Sequence, residues 1–201
     1  LALFGPPGSG KSTHGARICE LLGLGRASMG DLLRGACATA GEVAATIQRG
    51  GLVSDPVVLG CFKEWLGRQG PGAGVLLDGL PRTADQARAL DALLAAEGSR
   101  VEAVVVLETP DEELQERVCG RWTHGPSGRT YHAFRPGAQP RSLRLRPPGE
   151  RPLAEHMLDD VTGEPLGQRP DDTLEAFARR MAAYRAETAP VLGHYAGRVR
   201  R

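Results

Sequence analysis

The sequence has few aromatic residues, almost no net charge and no long apolar run. Aromatic residues make up 4% of the 201 positions, and the net charge at pH 7 is +1. A nucleic-acid-binding surface combines clustered positive charge with interleaved aromatic side chains, and a membrane-spanning helix needs about 20 consecutive apolar residues. We therefore expect neither a nucleic acid nor a membrane as a partner.

Cysteine is also scarce, and none of the four cysteines lies in a C-x-x-C pair. They are Cys19, Cys37, Cys61 and Cys119. This spacing argues against a zinc site built from paired cysteines and against a disulfide framework. We expect small core or surface residues of an intracellular protein in a reduced compartment. The sequence does not distinguish the cytoplasm from an organelle such as the mitochondrion.

Lysine is nearly absent, which makes the position of Lys11 informative. Only Lys11 and Lys63 are lysines among 25 basic residues. Lys11 lies in Gly5–Ser12, Gly-Pro-Pro-Gly-Ser-Gly-Lys-Ser, which matches G-x-x-x-x-G-K-[ST] completely. The segment follows an apolar run at 1–4 and precedes a helix-like stretch at 13–22. In this context, loop N–H groups and the helix N-terminus form an anion site for a nucleoside triphosphate.

The rest of the chain alternates apolar strands with helical segments, and this pattern predicts an α/β fold. We expect a doubly wound parallel sheet of the P-loop NTPase type, with helices on both faces and ligands at the carboxyl ends of the strands. The predicted strands cover 1–4, 74–78 and 101–107. The predicted helices cover 11–22, 30–39, 42–49, 55–68, 83–96, 111–120, 171–186 and 188–197. Residues 135–158 are rich in Arg and Pro and show neither the apolar periodicity of a helix nor that of a strand. We therefore expect a flexible excursion there.

Further motifs follow the phosphate-binding loop in a fixed order. They are G-D-L-L-R from Gly30, D-G-x-P-R-T-x-x-Q from Asp78, H-x-P-S-G-R-x-Y-H from His124 and D-D-x-T-G-E-P-L-x-x-R-x-D-D from Asp159. Their order and spacing resemble the adenylate kinase family over almost the whole chain. The resemblance implies a monomeric enzyme that catalyses ATP + AMP ⇌ 2 ADP with Mg²⁺.

The resemblance also implies three structural regions. The core P-loop domain would comprise 1–27, 58–120 and 169–201. An AMP-binding helical insertion would cover 28–57, and a lid would cover 121–168. Both mobile regions would close over the substrates and exclude water.

The resemblance assigns a role to each matching position. The residues implied in catalysis are Lys11, Arg82, Arg121, Arg169 and Arg180. Those implied in ATP binding are Gly8, Ser9, Gly10, Lys11, Ser12, Thr13, Arg117, Arg121 and Tyr131. Those implied in AMP binding are Met29, Arg34, Val53, Gly79, Arg82, Gln86, Arg169 and Arg180. Ser12 and Asp78 would hold Mg²⁺, the latter through water. An arginine-rich set suits this reaction, because guanidinium groups match phosphate oxygens in pairs.

The lid departs from a common family pattern. Many members carry a Cys₄ zinc site there, but the corresponding positions are His124, Ser127, Asp159 and Thr162, with the same two-residue gaps. These side chains cannot form a tetrahedral thiolate site. We therefore expect no structural zinc, and hydrogen bonds among the four residues in its place.

Three more departures leave alternatives open. Met29 replaces the Thr or Ser whose hydroxyl would face the AMP base, and 31 residues separate Ser127 from Asp159, more than is usual. The family normally ends with a strand and a helix that help to form the ATP-adenine pocket. We identify neither after Tyr195, so one edge of the sheet and that pocket would be incomplete. A nucleotide-binding protein with little turnover is thus one alternative. A GTP:AMP phosphotransferase is another, since Arg121-Trp122-Thr123-His124 also resembles that branch.

Overall fold

The computed structural model describes residues 1–36, 41–70, 72–135, 137–144 and 153–200. A central sheet of five parallel strands has the order β2-β3-β1-β4-β7, and two antiparallel strands form a separate ribbon. Within the described residues, no helix is long and apolar enough to cross a bilayer. The predicted doubly wound parallel sheet is confirmed.

The elements have the following bounds. The central strands are β1 (Ala2–Phe4), β2 (Gly25–Ser28), β3 (Val75–Asp78), β4 (Val104–Val106) and β7 (Val199–Arg200), and the ribbon consists of β5 (Arg121–Thr123) and β6 (Thr130–His132). The helices are α1 (Lys11–Leu22), α2 (Met29–Ala36), α3 (Gly41–Gln48), α4 (Asp55–Leu66), α5 (Ala84–Ala96), α6 (Asp111–Cys119), α7 (Arg141–Arg144), α8 (Leu174–Ala183) and α9 (Val191–His194).

The main core lies between the central sheet and its helices. Leu77 and Val104 from adjoining parts of the sheet pack with Phe62 of α4 and Leu90 of α5, all of them at most 3% exposed. Burial of such side chains on both faces of a sheet is the main favourable term in folding, at about 25 cal/mol per Å² of apolar surface. The apolar runs that predict β1, β3 and β4 are therefore the ones that the structure buries.

Two helix starts are fixed by threonine caps. Thr83 accepts a hydrogen bond from the Gln86 N–H at 3.1 Å, so α5 begins at Ala84. Thr173 accepts from the Ala176 N–H at 3.2 Å, so α8 begins at Leu174 and not at the predicted residue 171. A side-chain oxygen at this position satisfies an N–H that the helix itself leaves unpaired. After α8 the chain continues as a π-helical turn, Tyr184–Thr188.

The prediction of an open sheet edge beside β4 is wrong. Val199 pairs with Val104 and Arg200 with Val105, so β7 continues the sheet in parallel. The Arg198 guanidinium supports this arrangement by donating to the Val101 carbonyl at 2.8 Å. A strand of two residues has too short a pattern to be recognised in the sequence.

β2 was also missed, because Gly25–Ser28 is not an apolar run. Only Ala27 of this strand is buried, yet all four residues pair with β3. Helix α2 begins at Met29, one residue before the predicted start, and ends at Ala36. The rest of its predicted range, 37–39, lies outside the described residues.

The predicted lid contains more regular structure than its composition indicates. The ribbon β5–β6, helix α7 and a 3₁₀ turn at Ala154–His156 all lie in it. Leu143 and Met157 are buried against Leu166 in a small apolar cluster, which Trp122 also contacts. The segments 137–144 and 153–158 of the predicted flexible excursion therefore contain regular structure and buried apolar residues that the sequence pattern does not indicate. Residues 136 and 145–152 lie outside the described chain.

A polar network lies at the four lid positions, His124, Ser127, Asp159 and Thr162, where the sequence predicts hydrogen bonds in place of zinc. His124 shares a 2.7 Å hydrogen bond with Ser127 Oγ, and Thr162 Oγ1 donates to Asp159 Oδ2 at 3.1 Å. His124 Nε2 lies 2.6 Å from a Glu164 carboxylate oxygen, which can only accept, so this nitrogen carries the proton. The predicted hydrogen bonds are confirmed, and Glu164 is an additional partner.

Asp159 is the centre of this network. Its carboxylate accepts two hydrogen bonds from Arg129, at 2.8 and 2.7 Å, and one from the Tyr131 hydroxyl at 2.9 Å. Hydrogen bonds from Arg129 hold the Asp159 pKa far below its ordinary value of 3.8, with burial opposing them and the Thr162 N–H adding to them. A carboxylate that is ionised and fully partnered in this way favours one arrangement of the segment.

Replacing Asp159 with Ala should loosen the lid without unfolding the core. The substitution leaves the Arg129 guanidinium unpaired, so amides in 121–132 and 157–167 should exchange with solvent on the order of tenfold faster, as measured by hydrogen–deuterium exchange. The control is Glu155→Ala, which removes a carboxylate whose side chain is 75% exposed. Equal lid protection in the two variants would show that Asp159 does not hold the lid together.

Candidate functional site

The loop between β1 and α1 has the backbone geometry that its glycines allow. Gly8 and Gly10 have φ angles of +86° and +90°, which side-chain-bearing residues rarely adopt. A Cβ on Gly8 would also lie 2.8 Å from the Leu114 carbonyl oxygen. The loop therefore turns closely against α6 and leads directly into the N-terminus of α1.

A buried hydroxyl in this loop has no protein partner. Ser9 is 4% exposed, and its Oγ forms no hydrogen bond within the described residues. A buried polar atom without a partner costs free energy, so such atoms are exceptions that need an explanation. An anion bound in the loop would supply the missing acceptor. Ser12 and Thr13 follow at the start of α1, where both are exposed.

Lys11 is turned back onto the loop. Its Nζ donates to the carbonyl oxygens of Gly5 and Pro6, at 2.7 and 2.8 Å. Burial lowers the pKa of this amine to about 7; Asp78 opposes the shift, and nearby Arg82 adds to it. A buried amine with so low a pKa marks a site where a negative ligand would restore the charge.

Arginines from distant parts of the chain converge on this amine. Arg82, Arg180 and Arg121 all repel the charge on Lys11. Burial lowers the pKa of Arg82 and of Arg180, and in Arg82 the repulsion by Arg180 is the next largest cause. Arg82 forms no ion pair within the described residues, and its Nε donates only to the Gly79 carbonyl, at 3.0 Å.

Arg169 extends the cluster towards α2. Burial, followed by repulsion from Arg121 and Arg34, lowers its pKa to about 10, so it stays charged at neutral pH. In the described part of the chain its guanidinium forms neither a hydrogen bond nor an ion pair. Arg34 itself is 2.5 Å from Asp31. The structure thus brings together all six predicted phosphate-contacting cations: Lys11, Arg34, Arg82, Arg121, Arg169 and Arg180.

Two buried acids at the start of α8 hold two of these arginines in place. Arg121 forms a two-pronged pair with Asp172, at 2.9 and 2.5 Å, and Arg180 lies 3.0 Å from Asp171. Asp171 and Asp172 are each 6% exposed. These ion pairs offset part of the repulsion among the cations.

Three further residues with a predicted role in AMP binding are Gly79, Val53 and Met29. Gly79 has a φ of +86°, which side-chain-bearing residues rarely adopt, and a Cβ there would lie 3.0 Å from the mobile tip of Arg82, its Nη2. Val53 packs against the main core. Met29 is 1% exposed within that core, so its side chain is a packing group in this structure.

Gln86 is held at both ends of its amide. Its Oε1 accepts from the Arg82 N–H and its Nε2 donates to Asp55 Oδ1, each at 2.7 Å. Asp55 also accepts from the Thr83 hydroxyl at 3.2 Å. One donor and one acceptor position of the amide remain unused, and the side chain is only 1% exposed in this structure. These contacts of Asp55 were not predicted from the sequence, because an aspartate at the start of a helix is common without any further role.

Two predicted ATP-binding residues are engaged elsewhere. Arg117 pairs with Glu113 on α6 at 2.7 Å. The Tyr131 hydroxyl donates to Asp159 and accepts from the Asp160 N–H, both at 2.9 Å, as part of the lid network.

Asp78 lies at the carboxyl end of β3, next to the loop, and is 5% exposed. Its Oδ2 accepts from Ser12 Oγ at 3.2 Å and from Arg26 Nη2 at 2.8 Å. Hydroxyl and carboxylate oxygens are the ligands that Mg²⁺ prefers, so the predicted pair Ser12 and Asp78 fits that ion. The contact between Arg26 and Asp78 was not predicted from the sequence, because strand β2 was not predicted. The one indication in the sequence is a positively charged residue two positions before Ser28.

The chain was compared with known proteins. The family model described as "Adenylate kinase" matches residues 3–199. A protein named adenylate kinase from Vanderwaltozyma polyspora is 38% identical over 97% of this chain and 83% of its own length. Proteins of the same name from Botryotinia fuckeliana and Sclerotinia sclerotiorum are 39% and 40% identical, over 97% of this chain and 67% of theirs.

The match to the family model covers nearly every described element, and the relatives exceed 30% identity over almost the full chain. The glycine-shaped loop, the converging arginines and these comparisons agree, and this chain belongs to the adenylate kinase family.

Proposed function

We propose that this chain transfers the terminal phosphoryl group of ATP to AMP, reversibly, giving two molecules of ADP. The observation that carries this proposal is the cluster of six cations around a phosphate-binding loop. Phosphoryl transfer needs alignment of two nucleotides and neutralisation of a highly charged transition state, and it needs little covalent chemistry from the protein. A set of convergent guanidinium groups is suited to that task.

The cations divide according to their position. Lys11 and the loop N–H groups would hold the donor phosphates, since they form the N-terminal end of α1. Arg34 and Arg82 would bind the phosphate of the monophosphate, because one lies on α2 and the other follows β3. Arg121, Arg169 and Arg180 would surround the group in transfer.

AMP is the proposed acceptor. Gln86 would read its base through the remaining donor and acceptor of its amide, with Gly79 and Val53 allowing close approach to the backbone. Met29 offers no hydroxyl, so this chain would read the base with one hydrogen-bonding group fewer than relatives with Thr or Ser. For the donor, ATP is proposed, and the lid sequence keeps GTP as a candidate. Arg117 would lie against the donor base and Tyr131 in the lid above it.

Mg²⁺ is the proposed cofactor, held by Ser12 directly and by Asp78 through water. When bound, it would neutralise charge on the donor phosphates. Asp78 is suited to orient the surrounding water because its carboxylate is buried and fixed by two hydrogen bonds.

Two regions would close over the substrates: the helices of 28–57 and the lid of 121–168. Closure would exclude water, which would otherwise compete as the phosphoryl acceptor. Arg121 at the start of β5 connects the lid to Asp172 of the core, so lid position and arginine position are linked.

The activity itself is testable with a coupled assay for ADP. Wild-type protein with ATP, AMP and Mg²⁺ should form ADP, and Arg82→Ala should turn over on the order of 10²–10³-fold more slowly, since a cation at the transferring phosphates is lost. The matched control is Arg88→Ala on α5, where the side chain is 65% exposed. Rates over a panel of triphosphate donors and monophosphate acceptors would identify the bases.

Absence of ADP formation by the wild type, together with stabilisation by nucleotide, would favour a binding protein with little turnover. Equal rates in Arg82→Ala and Arg88→Ala would remove Arg82 from the site.

ATP binding should be linked to proton uptake at Lys11. Its pKa is about 7 in the free protein, so above pH 7 the amine is increasingly neutral. Bound phosphates raise that pKa, so binding takes up a proton and ATP affinity falls as the pH rises above 7, by up to about tenfold per unit. Calorimetry at pH 8.5 in two buffers with different ionisation enthalpies should give an uptake approaching one proton. The same measurement on Lys11→Met should give none, and no uptake by the wild type would contradict the assignment.

A further inference from the structure

We propose that Arg26 controls access of the metal ion to Asp78: it pairs with the carboxylate in the free protein and must leave it when the metal binds. This inference rests on the proposed function, because it assumes that Asp78 serves the metal. It adds to that function a positioning residue that none of the motifs includes.

The sheet register places Arg26 within reach of the acid. Ser28 of β2 pairs with Asp78 of β3, and Arg26 pairs with Leu76 two residues earlier. The long arginine side chain extends along the strands towards their carboxyl ends, where its Nη2 lies 2.8 Å from Asp78 Oδ2. Ser12 Oγ donates to the same oxygen at 3.2 Å. The guanidinium therefore contacts the oxygen that also faces the other proposed metal-binding residue.

Charge balance explains why the pair forms. Asp78 is 5% exposed, and a buried carboxylate without a counter-charge is strongly unfavourable. Lys11, which also interacts electrostatically with Asp78, gives its hydrogen bonds to the carbonyls of Gly5 and Pro6. Among the described residues, Arg26 is thus the cation in direct contact with Asp78.

The Arg26 guanidinium is only partly hydrogen-bonded, which favours its replacement by a metal ion as the partner of Asp78. The Arg26 Nε is buried and has no hydrogen-bond partner within the described residues. A guanidinium with a buried, unpaired N–H gains less from its position than a fully bonded one. A divalent cation beside Ser12 would repel Arg26 and compensate Asp78 in its place, so the two cations compete for one carboxylate.

The test compares metal affinities of the nucleotide-bound protein. Mn²⁺ is titrated in the presence of a non-hydrolysable ATP analogue, and free Mn²⁺ is followed by electron paramagnetic resonance. Arg26→Gln should bind Mn²⁺ roughly three- to tenfold more tightly, because the competing charge is removed. Arg17→Gln is the matched control, since it removes the same charge from an exposed position on α1, and its affinity should equal that of the wild type. Unchanged or weaker Mn²⁺ binding by Arg26→Gln would overturn the proposal.

A second measurement uses the wild type and does not depend on the variant folding. In crystals grown with Mn²⁺ and the analogue, Arg26 Nη2 should lie beyond hydrogen-bonding distance of Asp78 Oδ2. An intact ion pair with the metal bound would overturn the proposal. If ADP forms and only these metal measurements fail, the proposed function stands and the role of Arg26 is wrong.

Discussion

Repulsion between positive charges is the constraint on which the rest of this structure depends. Burial of the Lys11 amine is combined with repulsion from arginines at the end of β3, on β5 and on α8. Burial and mutual repulsion lower the pKa values of Arg82 and Arg169, and this arrangement is costly without a ligand. Phosphate groups are the chemical species that would offset that cost.

Acidic residues that pair with members of the site stabilise this arrangement in the absence of a ligand. Asp172 and Asp171 each hold an arginine from behind, and Asp55 fixes the amide of Gln86. Asp159 performs the same task in the lid, where Arg129 is its partner. In each case a carboxylate orients the group with which it pairs.

The features predicted from the sequence are those with a local signal. The loop at Gly5–Ser12 is a continuous motif, and the arginines could be placed because their motifs resemble a family in order and spacing. Features that depend on contacts between distant residues were missed. Arg26 lies in a strand without an apolar run, β7 has two residues, and Leu143 meets Met157 only in three dimensions. Met29 was assigned to AMP binding because of its place in the family motif. Its burial in the core could not be predicted from the residues next to it in the sequence.

A crystal structure with a bisubstrate analogue, in which two adenosines are joined through a chain of phosphates, tests the central claim most directly. The account predicts phosphate oxygens within hydrogen-bonding distance of Lys11, Arg34, Arg82 and Arg180, with Lys11 released from the carbonyls of Gly5 and Pro6. An analogue bound elsewhere, or arginines that point away from every phosphate, would contradict it.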